Sequence, residues 1–399
     1  MSDETKIPVT RLWTEPGLRR RADVMFDLLS GVDRNNIANL VTQLATLNEF
    51  WLIMRLLDAV DFGAPATAAT TARPEIHHKI RNLAKLGEAV LNIDAHDFES
   101  WLADDDIPQN IKEQLQSRAW PMLISETPVG ALSSLVPTFE LLLEVFEIRV
   151  LKGDVTMGLS IIHLMTEYLP LLGWEQQLGH AGNPMQLAEY LQQPGVMWQT
   201  DVCPLNRQQR KAFADVAEAG NSTRNWNTYL RDTHSRVSTA LSICGGVPKP
   251  MSEVSGQRTC RTNCAIRKEN SQLSWAMVLV RRLKDSAILA LRHDAPVGHF
   301  FSVPQEPQIL ASWETTWRGL IADRDEAPAQ ENPLQNVTRT GALAGLPELL
   351  GVVAGRSKGL QPSNLVGLIT NEIHHLTKAM TRYRLTSELT ATTIVTNNS

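Results

Sequence analysis

Arg207, Arg210 and Lys211 stand three and four residues apart in a stretch with helical spacing, so one helix face can present three cations to successive phosphates. Arg224, Arg231 and Arg236 follow, then Arg258, Arg261, Arg267 and Lys268, then Arg281, Arg282, Lys284 and Arg292. Arginine supplies 27 of the 38 cations in the chain. A guanidinium makes forked hydrogen bonds to phosphate and stacks on bases, so this bias points to nucleic acid. Trp226 and Tyr229 lie among these cations and are the candidate base-stacking residues, a contact worth about 1–3 kcal/mol per base. Trp275 falls in the apolar run Leu273–Leu283 and reads as core.

These cations are concentrated. Residues 201–300 carry 15 Lys+Arg and 8 Asp+Glu, a local charge of +7, while the whole chain sums to −5. Residues 101–200 carry 4 Lys+Arg and 12 Asp+Glu, a local −8. A basic block inside an acidic protein is an electrostatic footprint for a polyanion. The block could instead pair with the acidic half of its own chain, or be a solvated surface.

Other chemistry has little support. No phosphate-binding glycine loop, dinucleotide fingerprint, Gly-x-Ser-x-Gly elbow or His-Glu-x-x-His motif is present. Cys203, Cys244, Cys260 and Cys264 lack the paired spacing of a zinc knuckle and read as reduced thiols. His77-His78 and His374-His375 are adjacent pairs on predicted helices, whose members point to different faces and so suit one metal poorly. Asp104-Asp105-Asp106 reads as an acidic turn before Pro108. Arg followed closely by His, as in some ribonucleases, occurs at Arg73/His78 and Arg292/His299, the frequency that 27 Arg and 10 His produce by chance. No cofactor and no metal are expected.

The elements that would position the cations are helices. Ile37, Leu40, Val41, Leu44, Leu47 and Trp51 follow one helix face, with Asp33 as a cap and an earlier helix over 17–30. Helical spacing continues over 76–92, 108–124, 130–151, 155–172, 185–193, 205–219, 223–243, 270–292, 307–322, 343–355 and 362–385. Lys152-Gly153-Asp154 predicts a tight turn between two helices. Residues 62–74, 245–268 and 323–341 read as loops, and Gly298–Val303 is the best strand candidate.

At 399 residues, 43% hydrophobic and 20% charged, the chain fits a folded protein of two lobes. Punctuation from Gly173 to Pro204 places the boundary there: an acidic helical lobe over 1–195, a helical lobe with a basic first half over 196–385, and a flexible or partner-docked tail over 386–399. The expected class is all-α or nearly so, with a basic cleft between two helical lobes. The start lacks a signal-peptide pattern, and the apolar stretches 37–60 and 155–174 are broken by charged or ionisable side chains short of the ~18 apolar residues of a membrane span, so a cytoplasmic chain without a membrane partner is expected.

The sequence therefore predicts a structural protein that binds RNA or single-stranded nucleic acid and self-associates into a homo-oligomer. Viral nucleocapsid and coat proteins fit this physical description, and a virion would then be a second location. A helical scaffold with an acidic protein partner, and a nuclease with a dispersed active site, are the alternatives.

Overall fold

The computed structural model describes residues 37–61, 72–121, 123, 125–196, 198–199, 203, 205–220, 233–245, 271–294, 304–322 and 331–396. Every regular element among them is helical, so the chain is all-α. The helix expected over 17–30, the Asp33 cap and the strand candidate 298–303 lie outside the described residues. The chain divides into two compact units, one of Glu15–Ala119 with Ser363–Ser399 and one of Met1–Thr14 with Trp120–Pro362.

The first unit is built from α1 (Ile37–Thr46), α2 (Phe50–Asp61), α3 (Ala72–Leu91), α4 (Phe98–Leu102), α5 (Gln109–Gln116) and α15 (Leu365–Thr396). The apolar face read from 37 to 51 is interrupted at Asn48, whose φ of 55° is left-handed. There Asn48 N–H donates to the Ala45 carbonyl and Glu49 N–H to that of Leu44, which closes α1. Asparagine tolerates that conformation better than most residues, and the period after it shifts. Phe50 is consequently fully buried, with Ile53 and Leu57 of the same helix, and Trp51, expected on the same face as Leu44, is 54% exposed. Phe50 lies flat on Gly87 of α3, where a Cβ would come within 2.7 Å of the ring.

The 32 residues of α15 bring the chain back to pack along α1 and α3. Thr42 and Thr377 hydroxyls meet at 3.0 Å across that seam, and His374 Nε2 lies 3.1 Å from the Thr42 carbonyl. His375 points elsewhere, to Glu372 at 3.7 Å. His77 is buried while its neighbour His78 faces Asp106 at 3.6 Å. This helix continues to Thr396, through most of the segment read from sequence as a flexible or partner-docked tail. The acidic turn closes on itself, with Asp106 N–H donating to Asp104 at 2.9 Å and Asn82 reaching both carboxylates. Among the described residues no group of three or more His, Cys, Asp or Glu is placed to hold a metal.

The second unit contains α6 (Val136–Leu151), α7 (Val155–Leu178), α8 (Pro184–Leu191), α9 (Arg207–Gly220), α10 (His234–Gly245), α11 (Ser271–Lys284), α12 (Ala287–Asp294), α13 (Glu306–Ile321) and α14 (Leu346–Val353). The Lys152-Gly153-Asp154 turn forms as the sequence predicts, with Gly153 at φ 70°. Asp154 then accepts from Met157 N–H at 3.2 Å and caps α7, while pairing with Arg149 at 3.2 Å. Asp154→Ala should lower the stability of this unit by about 1 kcal/mol in urea denaturation, and an unchanged midpoint would show that the cap contributes nothing.

α7 is the core of the unit, with α6, α10, α11, α12 and α14 packed on it. It is long and apolar enough to cross a membrane by composition, but here other helices bury most of its apolar surface. The sequence places a break at Gly173, and the helix runs through Pro170 and Gly173 to end at Gly179, φ 80°. Gly173 is a site of close approach: a Cβ there would fall 2.6 Å from Met277 Cε on α11. The boundary expected at residue 195 is therefore not where the units divide. Helices from both sides of it share this core, because the apolar faces of α10 to α12 have α7 as their partner.

Other helix limits shift for local reasons. α5 stops at Gln116, where Arg118 turns back to the Gln114 carbonyl at 2.7 Å and Pro121 follows. The run expected over 270–292 splits into α11 and α12, and Ile288 N–H at the new start donates to Thr316 on α13 at 3.1 Å. Arg339, in the described part of the 323–341 loop, lies 4.8 Å from the Trp317 ring centroid and donates to Glu314 at 3.1 Å and to the Ala344 carbonyl at 2.9 Å. That arginine secures a loop to α13.

Candidate nucleic-acid interface

The first cationic cluster of the sequence sits on a well-anchored helix. Asn206 and Gln209 cap α9 reciprocally, each side chain accepting from the other's backbone N–H at 2.9 Å. Ala212, Phe213 and Val216 are fully buried and fix the inner face of α9 against α8 and α10. Phe213 meets Trp198 edge to face at 5.9 Å, and Trp198 is held in turn by its indole N–H on the Leu191 carbonyl at 3.0 Å.

With the apolar side inward, Arg207 and Lys211 are exposed and Arg210 is half-buried. These are the three cations that the sequence puts on one face, and the structure keeps them together within the first turns of α9. Free amides at a helix start carry partial positive charge, so the arginines and the helix end favour the same anion. Lys211 is paired: its ammonium lies 2.7 and 2.9 Å from the two carboxylate oxygens of Asp215. Among the described residues no ion pair holds Arg207 or Arg210. Arg236, in the first turn of α10, is also exposed.

The other described cations of the block have different surroundings. Arg282 donates through Nη1 to the Leu320 and Ala322 carbonyls at 2.9 and 2.8 Å, satisfying the C-terminal end of α13. It ties α11 to the end of α13. Arg281 is half-buried with Nε on the Met277 carbonyl at 3.3 Å. Lys284 is exposed. A hydrogen bond from His163 at 3.2 Å holds the Glu167 carboxyl below the usual range, with attraction from Arg292 and Lys284 adding to it. Here cations of the basic half attract a carboxylate of the acidic half.

Arg224, Arg231, Arg258, Arg261, Arg267, Lys268, Trp226 and Tyr229 lie outside the described residues. Trp275 is 4% exposed, as a core residue, and Cys203 is buried. The sequence reading missed Asp215, although its position four residues after Lys211 on a helix is itself a pairing signal. No local signal distinguishes Arg282 as a helix-end partner, since its acceptors are 38 and 40 residues away.

No protein family, curated protein or solved structure matches this chain.

Proposed function

We propose that this chain is a nucleic-acid-binding structural protein that holds RNA or single-stranded nucleic acid by its phosphates, in the manner of a nucleocapsid or coat protein that coats a polymer as repeated subunits. The observation that carries this reading is the Arg207–Arg210–Lys211 face, exposed at Arg207 and Lys211 and half-buried at Arg210, on a rigid, capped helix inside the +7 segment. A rigid helix pre-organises the cations, and phosphate contact carries no sequence information, so binding is nonspecific and steeply salt-dependent. The chain's net charge of −5 is compatible with this role, because subunits packed side by side on a polymer repel less when the charge is local.

Replacing Arg207, Arg210 and Lys211 together by Ala should weaken binding to single strands of any sequence by about 10- to 100-fold at low salt. The log–log salt slope should flatten by about 1.4 to 2.1, equivalent to two or three phosphate contacts. Exposed positions of this kind tolerate substitution within about 0.5 kcal/mol, so the variant stays folded. Unchanged affinity and slope in the folded triple variant would remove α9 from the interface.

A further inference from the structure

We infer that Asp215 is a resident competitor for the phosphate backbone, occupying Lys211 and setting how tightly the α9 face binds. The inference rests on the reading above and assigns a role to a residue of opposite charge at the same site. Lys211 makes two contacts to Asp215, at 2.7 and 2.9 Å, while among the described residues neither neighbouring arginine is so held. The lysine side chain is 67% exposed and the aspartate side chain 23%, so the carboxylate is fixed against the protein and the ammonium points outward from it. An arriving phosphate must draw the ammonium away from that carboxylate and sit beside the charge left behind.

Helix geometry limits the reach of this effect. Asp215 lies four residues from Lys211, about 6 Å along the axis, and eight from Arg207, about 12 Å. At physiological salt, charge is screened over about 8 Å, so Asp215 opposes a phosphate at Lys211 and barely affects one at Arg207. An exposed pair four residues apart is held loosely, which makes Lys211 a cation that can be surrendered at a cost in affinity. The arginines, with their forked donors, are the resting contacts, and Lys211 is recruited when Asp215 is neutralised.

The test uses the full chain and a short fluorescent oligouridylate, with affinity measured by anisotropy over a range of salt. Asp215→Asn should raise low-salt affinity about 3- to 10-fold, and should steepen the log–log salt slope by about 0.7, one added single-strand contact. Lys211→Ala alone should change affinity by no more than about twofold, and in the Asp215→Asn background it should abolish the gain. Unchanged or weaker binding by Asp215→Asn, with the chain folded by circular dichroism, overturns the inference. If the triple-alanine variant loses binding and Asp215→Asn gains none, the inference alone fails. If the wild-type chain takes up no oligouridylate, the reading beneath it fails as well.

Discussion

Trp174→Ala is expected to cost the second unit about 4 kcal/mol, the usual range for emptying a fully buried tryptophan site. Trp174 is 0% exposed, in the C-terminal part of α7. Its indole N–H donates to the Leu241 carbonyl on α10 at 2.9 Å. A second tie, from Ser238 to the Glu167 carbonyl at 2.5 Å, joins the same two helices. Removing the ring opens a cavity at the contact that carries α10, and α10 in turn supports α9 with its cations. In a unit of this size the melting transition should fall by about 10 °C. Trp174→Phe keeps most of the packing, loses the hydrogen bond and should cost about 2 kcal/mol. A melting curve unchanged by Trp174→Ala would show that α7 and α10 are not packed as described.

Acid is expected to destabilise the same unit well above the range where carboxylates titrate. His180 and His234 are 2% and 0% exposed, and burial pushes both down to about 4 from an ordinary 6.5. His180 Nδ1 accepts from the backbone N–H groups of Gly182 and Asn183 at 3.1 and 2.9 Å, so a proton at that nitrogen would displace both. His234 is wedged between Trp120 and Tyr168, each 5.3 Å away by ring centroid. Because the folded values are depressed, the unfolded chain binds more protons between pH 6.5 and 4. Stability is therefore fully present above 6.5 and falls as the pH drops through that window. By pH 5 each histidine should have cost about 2 kcal/mol, or about 4 kcal/mol together.

Glu147 and Glu175, whose carboxyls burial pushes up, work in the opposite sense at lower pH, since the folded chain holds their protons more tightly. Urea midpoints between pH 7 and 5 measure the net effect. Imidazole resonances of His180 and His234 should stay unshifted from pH 8 to 5. Ordinary titration near 6.5 would contradict the burial.

What the sequence makes legible here is what depends on near neighbours. The helical period locates most described elements, because apolar side chains three and four apart must share a buried face. The Lys152-Gly153-Asp154 turn forms as read, since a glycine at positive φ followed by a capping aspartate is a local device. Gly173 misleads for the opposite reason. It is a local helix breaker, yet the core around α7 holds it in a helix, and its missing Cβ is what lets Met277 approach. Asn48 breaks a run that looks periodic on either side, and this moves burial from Trp51 to Phe50.

Charge counting has a similar limit. It locates the basic block but treats all cations alike, whereas Arg282 is spent on the carbonyls of α13, Lys211 on Asp215, and Arg207 and Arg210 on neither. The division into units was hidden because α15 returns to α1 and α3 from more than 270 residues along the chain, a pairing no local pattern records.

Whether this chain holds nucleic acid by its phosphates is read from the absorbance of the purified full chain at 260 and 280 nm, before and after a high-salt wash. The expected result is a nucleic-acid-like ratio that falls to a protein-like one as salt releases the polymer, with rings or filaments in negative stain before the wash. A protein-like ratio from the outset, with monodisperse single chains that take up no added single strand at low salt, would contradict it.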